Sequence, residues 1–232
     1  MGLTKGWAWD IQLQGTVTPP SGIQFLDFDA QEASSALVAS VLAKGIIPCG
    51  YISAGSWENW RPDANKFPVS VKGNQFGDWP GENYLDIRQL QIIMPILWMR
   101  ILDAKSKGFV AIDWDNLDTY SHPSSGFPIT EQDQLKFNYL LASFTHQNGM
   151  AVTLKNCSEL VTKLEPYFDA AIVEEAYHYR EADKYLPFTN KGKAVFMIEY
   201  SEIAPYCADA KAKGFSLIQK QLDLKTWRKV CP

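Results

Sequence analysis

The sequence predicts an α/β fold, a TIM-type (β/α)8 barrel that is slightly irregular at its first strand-to-strand connection. Eight strand-like runs occupy the 232 residues, and most are followed by a helical pattern, which gives a parallel sheet with right-handed crossovers. Carboxylates collect at the ends of several runs, where a barrel keeps its chemistry. No GxGxxG follows any strand, which disfavours the competing doubly wound sheet.

The elements follow in order. Trp7–Leu13 alternates as a first strand and ends in the turn Thr18-Pro-Pro-Ser-Gly22. Ile23–Asp29 is the second, reached by a connection too short for a full helix. Ala30–Lys44 carries Ala33, Leu37, Val38, Val41 and Leu42 on one helical face, with Gly45 as its stop. Ile46–Ile52 is the third strand. Ser53–Leu85 is a long excursion rich in Gly, Pro, Asn and Trp, a length that usually serves a function such as a binding rim. Asp86–Lys107 reads as a helix with Asp86 at its cap and Pro95 as a kink or boundary.

Phe109–Asp113 is the fourth strand, followed by the loop Asp115–Pro128. Thr130–Gln147 is a helix opened by Thr130 with Gln132 or Asp133 near its third position. Met150–Leu154, Ala170–Glu174, Ala194–Glu199 and Phe215–Gln219 complete the eight strands. Helices are expected around Ser158–Phe168, Glu181–Thr189 and Glu202–Lys213, with a closing helix over Leu224–Lys229. A barrel of this length is ordinarily one domain, here residues 1–232.

Composition narrows the partners. A net charge of −4 without a Lys/Arg cluster argues against nucleic acid. No apolar run is long enough to span a membrane. No signal peptide is visible, and a mature fragment of a secreted protein is the expectation. Eight Trp, ten Tyr and twelve Phe stand out; the core is the default place for any one of them, but several lie in loops, where aromatic faces often stack on sugar rings. Cys49 lies in a strand pattern as a buried thiol. Cys207 and Cys231 offer a disulfide that would tie down the C-terminal tail. Wide cysteine spacing and the lack of an HxxxH pair leave zinc poorly supported.

The strand-end pattern carries the chemistry. Asp27 and Asp29 end the second strand, Asp113 and Asp115 the fourth, Lys155-Asn156 the fifth, Glu174 and Glu175 the sixth and Glu199 the seventh; Asp10 lies in the first. One such acid is more often a helix cap or a satisfied structural carboxylate. Four strands ending this way are harder to dismiss. A carboxyl pair across the mouth suits glycoside hydrolysis. The Asp113/Asp115/Asp118 cluster suggests a metal-dependent hydrolase, though an EF-hand would need Gly and Glu where Asp118 and Ser124 stand. Lys155 admits Schiff-base chemistry, against the plainer role of a cation steadying nearby acids. Asn156-Cys-Ser158 matches a glycosylation acceptor, but a barrel mouth makes it a site asparagine. A non-catalytic carbohydrate-binding barrel would keep the aromatics without needing two acids.

Several stretches together resemble glycoside hydrolase family 114, the endo-α-1,4-polygalactosaminidases. They are Trp7–Leu13, the run Gly50-Tyr-Ile-Ser-Ala-Gly-Ser-Trp-Glu-Asn-Trp-Arg-Pro-Asp63, Asp78-Trp-Pro-Gly-Glu82 and Tyr84-Leu-Asp-Ile-Arg88. Asp113-Trp-Asp-Asn-Leu-Asp118, Leu154-Lys-Asn156, Val173-Glu-Glu-Ala176 and Glu199-Tyr200 continue the likeness to about Gln219. The resemblance implies a secreted barrel that cleaves α-1,4-linked galactosamine polymers internally, as fungal members do on the cationic exopolysaccharide galactosaminogalactan. It implies no cofactor, and a monomer is expected. The family's catalytic acids map onto Asp115 and Glu174. Asp27, Asp29, Tyr51, Ser53, Trp57, Asp113, Lys155, Asn156 and Glu199 are then expected to hold the sugar and tune the pair. Glu175 stands where relatives often have Gln, which leaves the neighbouring Glu174 to be tested by strand register.

Overall fold

The computed structural model describes residues 2–232. In chain order the strands are β1 (Trp9–Gln12), β2 (Phe25–Asp29), β3 (Ile47–Ser53), β4 (Ser56–Glu58), β5 (Lys72–Gln75) and β6 (Glu82–Leu85). They continue as β7 (Ala111–Asp115), β8 (Ala151–Lys155), β9 (Ala170–Glu174), β10 (Ala194–Glu199), β11 (Ser216–Gln219) and β12 (Lys229–Val230). The α-helices are α1 (Ser35–Leu42), α2 (Leu90–Lys107), α3 (Glu131–Gln147), α4 (Val161–Leu164), α5 (Leu186–Asn190) and α6 (Cys207–Lys213).

The main sheet runs β1-β2-β3-β7-β8-β9-β10-β11, all parallel, with β12 antiparallel on β11. It curls around one interior, because one face of all eight parallel strands meets in a single cluster: Trp9, Phe25, Cys49, Ala111, Ala151, Ile172, Phe196 and Ile218. Phe196 stacks on Phe25 at 4.5 Å and tilts against Trp9 at 5.1 Å, an apolar plug low in the barrel. The opposite strand faces, among them Ile112, Trp114, Val152 and Leu154, pack against the helices. Burial on both faces accounts for the near-continuous apolar runs in the sequence.

Among the described residues no backbone ladder joins β1 to β11. Side chains close that seam. Trp9 Nε1 donates to the Ser216 carbonyl at 2.8 Å, Arg228 Nη1 to the Trp9 carbonyl at 2.5 Å, and Lys220 Nζ to Asp10 at 2.9 Å.

The structure corrects several expected boundaries. The fourth barrel strand, β7, sits two residues later than the apolar run suggests, so Asp115 belongs to the strand rather than to the loop after it. Helix α1 starts late because Ser34 caps it, its Oγ accepting from Leu37 N at 3.2 Å. Asp86 does not cap α2, which begins at Leu90; Arg88 occupies both Asp86 oxygens at 2.7 and 2.9 Å. Pro95 lies within α2 on its exposed side and sets no boundary there. Thr130 and Asp133 form the full capping box of α3.

The excursion after β3 folds into a three-stranded antiparallel sheet, β4-β6-β5. The closing helix is absent: Leu224 turns at φ 43°, and Lys229–Val230 pairs with β11 as β12. The Cys207–Cys231 disulfide, one residue beyond β12, ties this tail to the start of α6. Cys49 and Cys157 are buried free thiols.

Candidate active site

Strand alternation brings the charged groups together. On β7, Asp113 and Asp115 share the inward face with Ala111, while Ile112 and Trp114 point to the helices. Ladder neighbours Thr153 and Lys155 on β8 and Glu174 on β9 extend the same surface around the mouth. The chain then turns sharply. Asn116, Asn156 and Glu175, each directly after its strand, adopt φ of 61°, 48° and 56°. Such left-handed conformations cost free energy outside glycine and concentrate where geometry is over-determined.

Lys155 is the hub. Its Nζ lies 3.1 Å from Asp115 Oδ1 and 3.3 Å from Glu174 Oε1, with a side chain 3% exposed. Tyr51 donates its hydroxyl to the other Asp115 oxygen at 2.7 Å. Burial alone would raise the Asp115 carboxyl, but Lys155 and the Tyr51 hydroxyl outweigh it and hold Asp115 below the ordinary carboxylate range. Burial would likewise discharge Lys155, yet Asp115, Glu174 and Asp113 around it push the ammonium well above its usual value. A lysine so firmly protonated is a steadying cation and a poor Schiff-base nucleophile.

Register separates the two adjacent glutamates. Glu174 reaches Lys155, and its backbone N–H is held by Asn156 Oδ1 at 2.9 Å. Glu175 sits past the strand end, where its N–H donates to the Ile198 carbonyl at 2.7 Å. Asn156 thereby ties the end of β8 to the end of β9.

Below this layer lie Asp27 and Asp113, both 0% exposed. Thr153 Oγ1 donates to Asp113 Oδ1 at 2.5 Å. Both residues sit under the hub, away from any surface a polymer could touch. Burial raises the pKa of each, Asp27 well above normal; burial also pushes up the Cys49 thiol beside them, and the two acids add to that rise.

The excursion supplies the wall beside β7. Ala54 N and Gly55 N donate to the Asp115 carbonyl at 3.1 and 3.3 Å. A Cβ on Gly55 would stand 1.9 Å from the Asn116 carbonyl, so this close approach requires glycine. Asn116 Nδ2 donates to Ser53 Oγ at 2.9 Å, Ser56 Oγ at 3.1 Å and Glu82 Oε1 at 3.4 Å, and Ser56 donates to Glu82. Burial pushes the Glu82 carboxyl up to about 7, with Ser56 opposing and Glu58 and Asp115 adding to the rise.

Other residues expected at the sugar are occupied elsewhere. Asp29 accepts from Gln31 N and Glu32 N at 2.9 Å and pairs with Arg61 at 2.6 Å, and Arg61 also binds Glu58 through two nitrogens. Arg100 similarly clamps Asp63 and reaches the Ser53 carbonyl at 2.9 Å. Much of the run from Trp57 to Asp63 therefore fastens the excursion to the barrel. Trp57 itself donates to the Ala64 carbonyl at 2.9 Å, and Lys72 Nζ covers its ring 3.6 Å from the centroid. Glu199 is buried and accepts from Tyr177 N at 2.7 Å, organising the loop after β9.

The metal-cluster alternative fails on geometry. Asp118 turns to His122 at 3.6 Å, and no group of three acid, His or Cys side chains converges on an ion-sized position among the described residues. Asn116, Ser56, Glu82 and Tyr200, whose phenol faces Glu174, are site residues that the strand-end reading missed. For Tyr200 a signal existed, since it lies two residues beyond inward-facing Ile198.

Comparison with known proteins identifies the family. The model of glycoside hydrolase family GH114 matches residues 3–232. A search of curated proteins found no match. The crystal structure of Aspergillus fumigatus Ega3 in complex with galactosamine superposes with a TM-score of 0.94 at 30% identity, over 100% of this chain and 97% of that one. The glycoside hydrolase domain of PelA from Pseudomonas aeruginosa gives 0.73 at 15% identity, covering 96% and 98% of the two chains. Trehalulose synthase MutB from Pseudomonas mesoacidophila MX-45 gives 0.59 at 8% identity over 83% of this chain and 56% of its own, a likeness of fold alone. An α/β barrel with a lysine-bridged carboxyl pair at its mouth, matched by one family model almost from end to end, belongs to glycoside hydrolase family 114.

Proposed function

We propose that this glycoside hydrolase is endo-acting and cleaves α-1,4-galactosaminidic bonds in a galactosamine-containing polysaccharide, with Asp115 and Glu174 as its two acids. The observation that carries the reading is the single ammonium of Lys155 within 3.3 Å of both carboxyl groups. The galactosamine bound by Ega3 supports the sugar class. A net charge of −4 suits a cationic polymer.

Asp115 is the better stabilised anion, held by Lys155 and Tyr51, and acts as the nucleophile. Its oxygen attacks C1 while the bond from C1 to the glycosidic oxygen breaks, and Glu174 gives its proton to that oxygen. Water then attacks C1 of the glycosyl ester, Glu174 takes the water proton, and Asp115 leaves as carboxylate. One oxygen of each acid lies 3.1 or 3.3 Å from the same nitrogen, a closeness that favours the separation of about 5–5.5 Å used by retaining enzymes over the roughly 6.5–9.5 Å of inverting ones. Retention of configuration is the expected outcome. The catalytic unit is the whole barrel, residues 1–232, acting as a monomer. Secretion accords with the Cys207–Cys231 disulfide, since such bonds persist in oxidising compartments.

The test is incubation with a deacetylated α-1,4-galactosamine oligomer followed by mass analysis. Internal cleavage yields a spread of product lengths. Release of monosaccharide alone, or no product from the wild type, would overturn the reading.

A further inference from the structure

Asp27 and Asp113 face one another inside the barrel with too few donors for their oxygens. Both Asp27 oxygens and Asp113 Oδ2 are buried without a hydrogen-bond partner, while Asp113 Oδ1 is taken by Thr153. Four carboxyls lie along this inner column, Asp27, Asp113, Asp115 and Glu174, against one ammonium, Lys155. The remaining titratable neighbour is the Cys49 thiol on β3, a weak donor. Two ionised carboxylates cannot face each other at zero exposure without a large penalty, and one proton placed between them removes it.

We propose that Asp27 and Asp113 hold one proton between them, and that the single negative charge remaining anchors the Lys155 ammonium beneath Asp115 and Glu174. Asp27 and Asp113 are then positioning residues acting through Lys155, not sugar ligands. The inference rests on Asp115 and Glu174 being the reacting pair. Desolvation acts in the same direction, raising the pKa of Asp27 and Asp113 alike. Asp27 carries the proton, because Asp113 already accepts from Thr153 and is the better acceptor for a second bond. Its loss to solvent at high pH would add a charge below Lys155 and draw the ammonium away from the mouth.

The proton is read directly from the infrared C=O stretch of protonated carboxyls at pH 7, in wild-type protein minus D27N. The proposal expects a band present in the wild type and missing in the variant, whose carboxamide supplies the same donor permanently. No difference band would overturn it. D113N removes the anchoring charge, and kcat should fall on the scale of about 10²-fold that misplacement costs, with KM within about twofold. A rise in KM at unchanged kcat would make these residues sugar ligands and overturn the proposal. The infrared result needs no turnover, and D27N preserves shape and hydrogen bonding if D113N does not fold. If D115N and E174Q stay active while the band is present, the catalytic reading falls and the proton-sharing pair stands.

Discussion

Lys155 and Lys220 are both buried at the ends of barrel strands, and each binds an aspartate at nearly the same distance, 3.1 Å to Asp115 and 2.9 Å to Asp10. Their surroundings differ. At the seam, Lys220 and Asp10 have side chains 0% exposed, one acid answers one lysine, and Gln12 and the Lys225 carbonyl take the remaining bonds at 2.8 and 2.6 Å. Burial lowers the Lys220 pKa and Asp10 only partly restores it. At the mouth, Lys155 is raised because acids outnumber it, and its partners Asp115 and Glu174 keep 17% and 27% of their side chains open. A balanced, sealed pair closes a barrel; an acid-rich pair with open edges is equipped to act on something that arrives.

The largest effect that separates the two regions is on turnover. E174Q should lower kcat by about 10²–10⁴-fold, the scale of a lost proton donor, and D115N by at least as much, with thermal unfolding little changed. Steady-state assays on the oligomer beside melting curves check this. Near-normal turnover in either variant would put the seam and the mouth on the same structural footing. K220M should do the reverse. Leaving Asp10 charged and unpaired in the interior should cost about 3–5 kcal/mol in urea unfolding, while kcat per folded molecule stays near wild type.

A smaller loss is expected from C231S, which opens a closed loop with sequence separation 24 and frees β12. Loop entropy puts the cost at about 3 kcal/mol, again without effect on the acid pair. The smallest effect is pH dependence at the mouth. Glu82 keeps its proton in the folded state up to about 7, whereas the unfolded chain releases it near 4.5. Over that window the folded state binds more protons, so stability falls as pH rises, by on the order of 1–3 kcal/mol. E82Q should reduce the slope, leaving the part that the buried Asp27 and Asp113 carboxyls add with the same sign, and K220M should leave it in place; a slope unchanged in E82Q would assign it to those two acids alone.

Much of the mouth was legible because strand alternation is rigid. Once Phe109–Asp113 and Met150–Leu154 are read as strands, the acids and Lys155 must gather at their ends, and a shift of two residues preserves which face they share. The wall was less legible. Ser56, Glu82 and Asn116 meet only because the excursion docks Gly55 onto the Asn116 carbonyl, a tertiary contact without periodicity. The same lack of a local signal hid the partners of Asp29, whose capping and Arg61 contacts look identical in sequence to a strand-end site acid. The Cys207–Cys231 tether was legible, but the path between was not: Leu224–Lys229 has a helical composition, while pairing with β11 draws Lys229–Val230 out as a strand.

In the proposed mechanism Asp115 bonds to the sugar while Glu174 supplies the proton. E174Q incubated with a galactosamine oligomer bearing a good aryl leaving group should accumulate a glycosyl-enzyme, since the activated group leaves unaided and the base for hydrolysis is gone. Intact-protein mass followed by peptide mapping should place the added sugar on Asp115. An adduct on another residue would move the nucleophile there, and rapid turnover to product of inverted configuration with no adduct would exclude a covalent intermediate.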